Sequence, residues 1–253
     1  MKLVDFVKQR FFETYSTENE HNFNELWKQY ESMAPFRINE NVFDKYEIDD
    51  KLLLIIRLST QYHLKQTFQA MKIDMSDPNI QECIADGNIG TAGRVAKMWV
   101  GSSINDNTEI LCGRWNKPPR IAAFPNNNKI KLPITKRVSL NSCCSHHIAP
   151  FSTKLKSDSY AIISYIPEDY VIGISKLQRL VDWVAKRGWL QEDLTKQLHY
   201  EMCKIAQTDN VYVKIYNIIH TCELLRGVQN DEGTFNSIHF TGLFEDKKYR
   251  DMI

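Results

Sequence analysis

The order of hydrophobic periods between residues 129 and 244 restricts this chain to few folds. Lys129-Ile130-Lys131-Leu132-Pro133-Ile134 alternates with the period of a strand, which continues through Val138-Ser139-Leu140. A second strand is expected at about 152–166, with Tyr160-Ala161-Ile162-Ile163-Ser164-Tyr165-Ile166 at its apolar end. The period then becomes helical. Ser175 and Gln178 have the spacing of a capping box, and Leu177, Leu180, Val181 and Val184 form one stripe. Gly188 breaks the chain. Gln191-Glu192-Asp193 opens a second helix that turns Leu194, Leu198 and Ile205 inward. From Asn210 the period is two again, with Val211, Val213 and Ile215 on one face and Tyr212, Lys214 and Tyr216 on the other. A last strand is expected at about 234–244. Strand-strand-helix-helix-strand-strand predicts an α+β unit: a four-stranded antiparallel sheet with its helices on one face.

Two regions precede this core at 129–253. Residues 1–48 read as a helical N-terminal extension, with helices near 3–15 and 22–33 and a stop at Pro35. Residues 49–128 read as helical and loop-rich. A helix over 49–72 starts at Asp49-Asp50, favourable to its dipole, and repeats apolar residues at Leu54, Leu58, Leu64, Phe68 and Met71. Another over 91–99 would put Val95, Met98 and Trp99 on one face and Arg94 and Lys97 on another. Glu109-Ile110-Leu111 reads as strand. With Lys+Arg at 32 and Asp+Glu at 31, bulk charge implies neither nucleic acid nor an anionic membrane as partner. The apolar run Leu52–Ile56 is too short to span a bilayer, and charges interrupt the first residues too early for a secretory leader. A cytoplasmic, reducing location is expected, where the six cysteines stay available as thiols.

Three kinds of residue carry chemistry. Within Cys143-Cys144-Ser145-His146-His147, Cys144 and His147 stand three apart across a turn-forming stretch, and Cys222 is a third sulfur ligand distant in sequence. Sulfur and imidazole are preferred ligands of zinc, and three protein ligands with one open position mark a catalytic site. The same Cys-x-x-His spacing also fits buried cysteines beside surface histidines. His146 and His220 are candidates for proton transfer, although isolated histidines commonly have structural roles. Arg94, Lys97, Lys176, Arg179 and Arg226 form a basic set suited to a polyphosphate, or to a solvated charged face. Gln191-Glu192 offers a carboxylate that could read the N1–H and N2–H edge of guanine, or simply stabilise a helix N-terminus.

Taken together, these segments resemble the GTP cyclohydrolase I family. The family's Cys-Glu-His-His appears as Cys144-Ser145-His146-His147, and its Gly-Leu-Ser-Lys-x-x-Arg as Gly173-Ile174-Ser175-Lys176-Leu177-Gln178-Arg179. Its Val-Gln-Glu-Arg-Leu-Thr-x-Gln appears as Leu190 to Gln197, its His-x-Cys-x-x-x-Arg-Gly as His220 to Gly227, and its Thr-Pro-x-Arg-Val-Ala-Lys-Met as Thr91 to Met98. The motifs fall in the family's order, and the resemblance covers about 50–100 and 130–245. It implies the T-fold, in which small antiparallel sheets from several subunits join into a barrel. It also implies a toroidal homodecamer with interfacial active sites. The implied reaction converts GTP and water to 7,8-dihydroneopterin triphosphate and formate, a first step towards folate, tetrahydrobiopterin or 7-deazaguanine compounds.

Carried over, the resemblance gives Cys144, His147 and Cys222 to Zn²⁺, whose bound water attacks C8 of guanine. It gives protonation near N7 to His220, proton transfer during ring opening to His146, and a position by the ribose to Ser175. Glu192 with Gln191 anchors guanine; Arg94, Lys97, Lys176, Arg179 and Arg226 contact the triphosphate. Four departures stand out: Ser145 for the family's glutamate, the extra thiol of Cys143, Ala92-Gly93 for a proline-containing start, and Gly188-Trp189 for a more polar pair. The changes at 145 and 188–189 leave room for a variant purine nucleotide such as dGTP as substrate, and Ser145 with the N-terminal extension for a weakly catalytic nucleotide-binding homologue.

Overall fold

The structure is a computed structural model and describes residues 1–83, 88–227, 229 and 233–253. The chain divides into two compact units, Met1–Lys117 and Pro118–Ile253.

The first unit is built on α1 (Leu3–Thr14), α2 (Glu20–Ser32), α3 (Asp50–Ala70) and α4 (Gly90–Val100). Asn19 and Asp49 cap α2 and α3: each side-chain oxygen accepts from a first-turn N–H, at 2.9 and 2.8 Å. Phe6, Val7, Phe11 and Phe23 pack with Leu54, Ile55 and Leu58, so α1 and α2 share a core with α3. The buried face of α4 differs from the expected one. Ala92 and Ala96 are buried beside Leu64, Val95 and Trp99 are only partly buried, and Met98 is exposed. Small residues face inward here because the helices approach closely: a Cβ at Gly93 would stand 3.2 Å from Nε2 of Gln61 on α3. Glu109-Ile110-Leu111 is not strand. It runs into a 3₁₀ turn at Cys112–Arg114, closed by Arg114 N–H donating to the Leu111 carbonyl at 3.2 Å.

The second unit contains β1 (Ala123–Pro125), β2 (Ile134–Val138), β3 (Asn141–Cys144), β4 (Ala149–Ser152), β5 (Tyr160–Tyr165), β6 (Tyr170–Ile172), α5 (Ile174–Ala185), β7 (Gly188–Trp189), α6 (Gln191–Ala206), β8 (Val211–Ile218), α7 (Thr221–Leu224) and β9 (Phe235–Phe240). The main sheet has the order β2-β5-β8-β9 and is antiparallel throughout, as the alternation of periods predicts. Ala161, Ile163, Val213 and Ile215 meet Leu177, Leu180, Val181 and Val184 of α5 and Leu194, Leu198 and Met202 of α6 in one core. Two small sheets were not expected, β4-β3-β7 and β1-β6. Their strands have two to four residues, too few to show a period.

Several expected boundaries move; the last strand ends at Phe240, followed by a 3₁₀ turn at Gly242–Glu245. Residues 129–133 are not strand: Lys129 has φ 49°, and the Asn126 side chain accepts from Ile130 N–H at 2.9 Å and donates to the Ile130 carbonyl at 3.0 Å. Pro133 could not donate to a ladder in any case. The single strand over 152–166 is two, β4 and β5, parted at the polar Lys156-Ser157-Asp158-Ser159 turn. Finally, α5 starts at Ile174 with Gly173 as its N-cap, so Ser175 lies inside the helix and there is no capping box. Gln178 serves the backbone between β2 and β3 instead, accepting from Ser139 N–H at 2.9 Å and donating to its carbonyl at 2.8 Å.

His199, on the buried side of α6, shows how tightly this unit closes. Its Nε2 lies 2.9 Å from Thr241 Oγ1, and its ring meets that of His239 edge-on with centroids 4.5 Å apart. Burial, with His239 adding to it, pushes its pKa down to about 4. Between about pH 4 and the usual histidine value near 6.5 the unfolded chain therefore binds more protons than the folded one. Stability should be complete above about pH 6.5 and fall by up to about 3 kcal/mol as the pH drops towards 4. Urea midpoints across that range should fall in the wild type and fall less in His199→Asn.

No helix among the described residues is long and apolar enough to cross a membrane.

Candidate active site and metal centre

The small sheet that sequence patterns missed builds the centre. Cys143 and Cys144 end β3 and pair in parallel with Gly188 and Trp189 of β7. Beyond Cys144 the chain turns tightly: Ile148 N–H donates to the Cys144 carbonyl at 2.9 Å, and Ile148 has φ 51°. Ser145 N–H donates to the Trp189 carbonyl at 3.1 Å. One residue past Trp189, Leu190 is the N-cap of α6. The Cys144 turn and the Gln191-Glu192 helix start are thus fixed to one another through backbone pairing.

The third candidate ligand, Cys222, arrives along another route. His220 forms a bridge to Phe151 of β4, and Thr221 Oγ1 donates to the Pro150 carbonyl at 2.6 Å. This pins the start of α7, where Cys222 sits in the first turn, against the strand paired with β3. As a result the ligand atoms of Cys144, His147 and Cys222 all lie within 4.8 Å of one another, as in no other group of three or more His, Cys, Asp or Glu among the described residues. Ligands of a tetrahedral zinc stand about 3.5–3.8 Å apart, given bond lengths near 2.0–2.3 Å. The limit of 4.8 Å is wider than that spacing, and two sulfurs with one imidazole match the ion's preferred donors in number and type. Burial, and then the neighbouring Cys144, push the Cys222 thiol up. Cys143, fully buried on β3, is pushed up to about 12, chiefly by burial. It is not among the three residues whose ligand atoms converge.

Around the centre, Arg226 Nη1 lies 2.5 Å from His147 Nε2. A guanidinium only donates, so this nitrogen accepts, and a metal at the same atom would release Arg226. His146 is exposed, its ring edge-on to His147 at 6.1 Å. His220 is held between aromatics, stacked on Phe151 with centroids 4.4 Å apart and edge-on to Phe235 at 5.5 Å. Its Nε2 lies 2.8 Å from Gln191 Oε1. Burial lowers its pKa, favouring the neutral ring, while Glu192 and Glu223 oppose that shift. Glu192 is exposed in the first turn of α6, whereas Gln191 is 2% exposed, with its amide also donating to Ser237 Oγ at 2.9 Å.

The remaining candidates are distributed more widely. Ser175, Lys176 and Arg179 occupy the first two turns of α5, Ser175 and Arg179 exposed and Lys176 half-buried. Arg94 and Lys97 belong to α4 of the first unit. Arg94 donates to Asn88 Oδ1 at 3.0 Å and to the Asn79 carbonyl at 3.1 Å. Sequence patterns gave no signal for Phe151, Phe235 or Ser237; these, with Thr195 of the Leu190–Gln197 motif, pack against or hydrogen-bond to His220 and Gln191.

A four-stranded antiparallel sheet backed by two helices, with a Cys-His-Cys centre against the second helix, defines a T-fold enzyme with a candidate metal site. The family model for GTP cyclohydrolase I matches residues 68–253. GTP cyclohydrolase 1 of Salmonella gallinarum (strain 287/91 / NCTC 13346) is 31% identical over 188 residues, covering 74% of this chain and 75% of that protein. GTP cyclohydrolase 1 of Blochmanniella pennsylvanica (strain BPEN) is 36% identical over 162 residues, covering 63% and 67%. The chain belongs to the GTP cyclohydrolase I family of hydrolases. Among solved structures, an archaeosine synthase QueF-like protein in the apo form aligns with 44% of this chain and 93% of that one, at 18% identity and a TM-score of 0.32.

Proposed function

We propose that this chain hydrolyses GTP at C8 of guanine, giving 7,8-dihydroneopterin triphosphate and formate, with Cys144, His147 and Cys222 holding zinc. The observation that carries this reading is the meeting of three ligand atoms within 4.8 Å beside a histidine clamped by two aromatic rings. When bound, zinc supplies the Lewis acidity that makes water a competent nucleophile near neutral pH. The chain's own groups do the rest. His220 exchanges a proton with the imidazole ring of the base near N7, and exposed His146 moves protons during ring opening and formyl release. Ser175 lies by the ribose.

Glu192 at the α6 N-terminus accepts the N1–H and N2–H donors of guanine. Lys176, Arg179 and Arg226 take the triphosphate together with Arg94 and Lys97, some from a neighbouring copy in a toroidal homo-oligomer. A cytoplasmic enzyme at the head of a folate, tetrahydrobiopterin or 7-deazaguanine route fits this chemistry.

Purified protein supplied with zinc and GTP should release formate in step with GTP loss. Binding of GTP with no formate would support a nucleotide-binding homologue instead. A specificity test isolates Glu192, because ITP lacks the 2-amino group. Glu192→Ala should lose about tenfold or more of the preference for GTP over ITP in kcat/KM. Unchanged discrimination would remove Glu192 from the base-reading role.

A further inference from the structure

The hydrogen bonds behind His220 run in one direction only, and that direction decides which ring nitrogen can act. Thr195 Oγ1 lies 2.8 Å from the Gln191 backbone carbonyl, which can only accept, so the threonine proton is committed there. Thr195 Oγ1 also lies 2.7 Å from Ser237 Oγ. With its own proton used, Thr195 must accept, and Ser237 donates. Ser237 Oγ lies 2.9 Å from Gln191 Nε2, so the serine oxygen accepts from the Gln191 amide. That fixes the amide orientation, and its Oε1 then faces His220 Nε2 at 2.8 Å. An amide oxygen only accepts, so His220 Nε2 carries the proton.

We propose that Thr195, Ser237 and Gln191 form a relay that locks His220 as its Nε2–H tautomer, making Gln191 a positioning residue for His220 rather than a contact to the purine. Any proton that His220 exchanges with substrate then moves through Nδ1. The relay joins the start of α6 to β9, and both partners of Gln191 lie within the second unit. Gln191 is 2% exposed with both ends of its amide occupied, so reading a base would cost it two bonds already made. Phe151 and Phe235 hold the ring plane, and the relay sets its proton. This inference rests on the proposed role of His220 in GTP hydrolysis.

The test uses the full chain loaded with zinc. Ser237→Ala removes the acceptor that orients the Gln191 amide and should lower kcat for GTP at least about tenfold, with KM within about twofold and zinc content unchanged. Ser237→Thr keeps the hydroxyl and should restore most of that loss. Gln191→Leu should lower kcat as Ser237→Ala does and keep the GTP-over-ITP preference that Glu192→Ala loses. Nitrogen-15 spectra of histidine-labelled protein, with His220 assigned by its disappearance in His220→Asn, should show a protonated Nε2 in the neutral ring. An Nδ1–H tautomer would overturn the relay. So would a Ser237→Ala enzyme with kcat within twofold of wild type, a Ser237→Thr enzyme as impaired as Ser237→Ala, or a Gln191→Leu enzyme whose main defect is in KM and base discrimination. Failure of the wild type to release formate would instead strike the proposed reaction.

Discussion

Cys222→Ala is expected to abolish tight zinc binding and, with it, release of formate from GTP. The substitution removes one of the three proposed protein ligands, whose ligand atoms lie within 4.8 Å of one another. Zinc in a three-ligand site has no spare donor to lose, so the fall should far exceed the roughly 10–100-fold that a lost outer contact costs. The fold should survive, because Cys222 is only half-buried and sits in a single-turn helix. Circular dichroism and melting should therefore be close to those of the zinc-depleted wild type, while the zinc content drops. The same geometry sets a sign for pH. Burial and the neighbouring Cys144 hold the Cys222 thiol up, yet a metal takes it as thiolate, so binding expels a proton. Zinc affinity should weaken as the pH falls through the neutral range. A Cys222→Ala protein that keeps stoichiometric zinc and wild-type turnover would show that the cluster is not the metal centre.

His220→Asn should lower kcat by about 10²–10⁴-fold, the usual range for losing a positioned acid–base group, and leave zinc content intact. Asparagine retains polarity at the N-cap of α7 but cannot exchange a proton at neutral pH. The contrast between the two variants is the informative result. Cys222→Ala should lose metal and activity together, whereas His220→Asn should lose activity alone. Single-turnover measurements with GTP should show binding preserved and the chemical step slowed. If His220→Asn turns over GTP within threefold of wild type, the stacked and tethered ring is a structural feature and the proton path lies elsewhere.

The sequence made the main sheet legible because its strands and helices are long enough to show a period. Val211, Val213 and Ile215 are buried, and so are Leu177, Leu180, Val181 and Val184. The element order then implied an antiparallel sheet with its helices on one face. The candidate metal group was legible as a set of residue types, since Cys144, His147 and Cys222 are side chains that zinc prefers and their ligand atoms converge. What joins them was not. A two-residue strand, Gly188–Trp189, carries the register between the Cys144 turn and α6, and two residues have no periodicity. The bridge from Phe151 to His220 depends on tertiary pairing alone. Ser175 illustrates the opposite error: the Ser-x-x-Gln spacing suggests a capping box, but the N-cap is Gly173, two residues earlier, and Gln178 is drawn to Ser139. Local spacing lost to a tertiary hydrogen bond, as capping signals do when a stronger partner is near.

On the proposed reading, a metal held by Cys144, His147 and Cys222 enables hydrolysis of GTP by this chain. The direct measurement follows formate and a dihydropterin product from GTP before chelation, after removal of zinc with a strong chelator, and after zinc is restored. Formate and product should form together, vanish on chelation and return with zinc. Equal formate release by zinc-depleted and zinc-loaded protein, or bound GTP without any formate from the loaded protein, would contradict it.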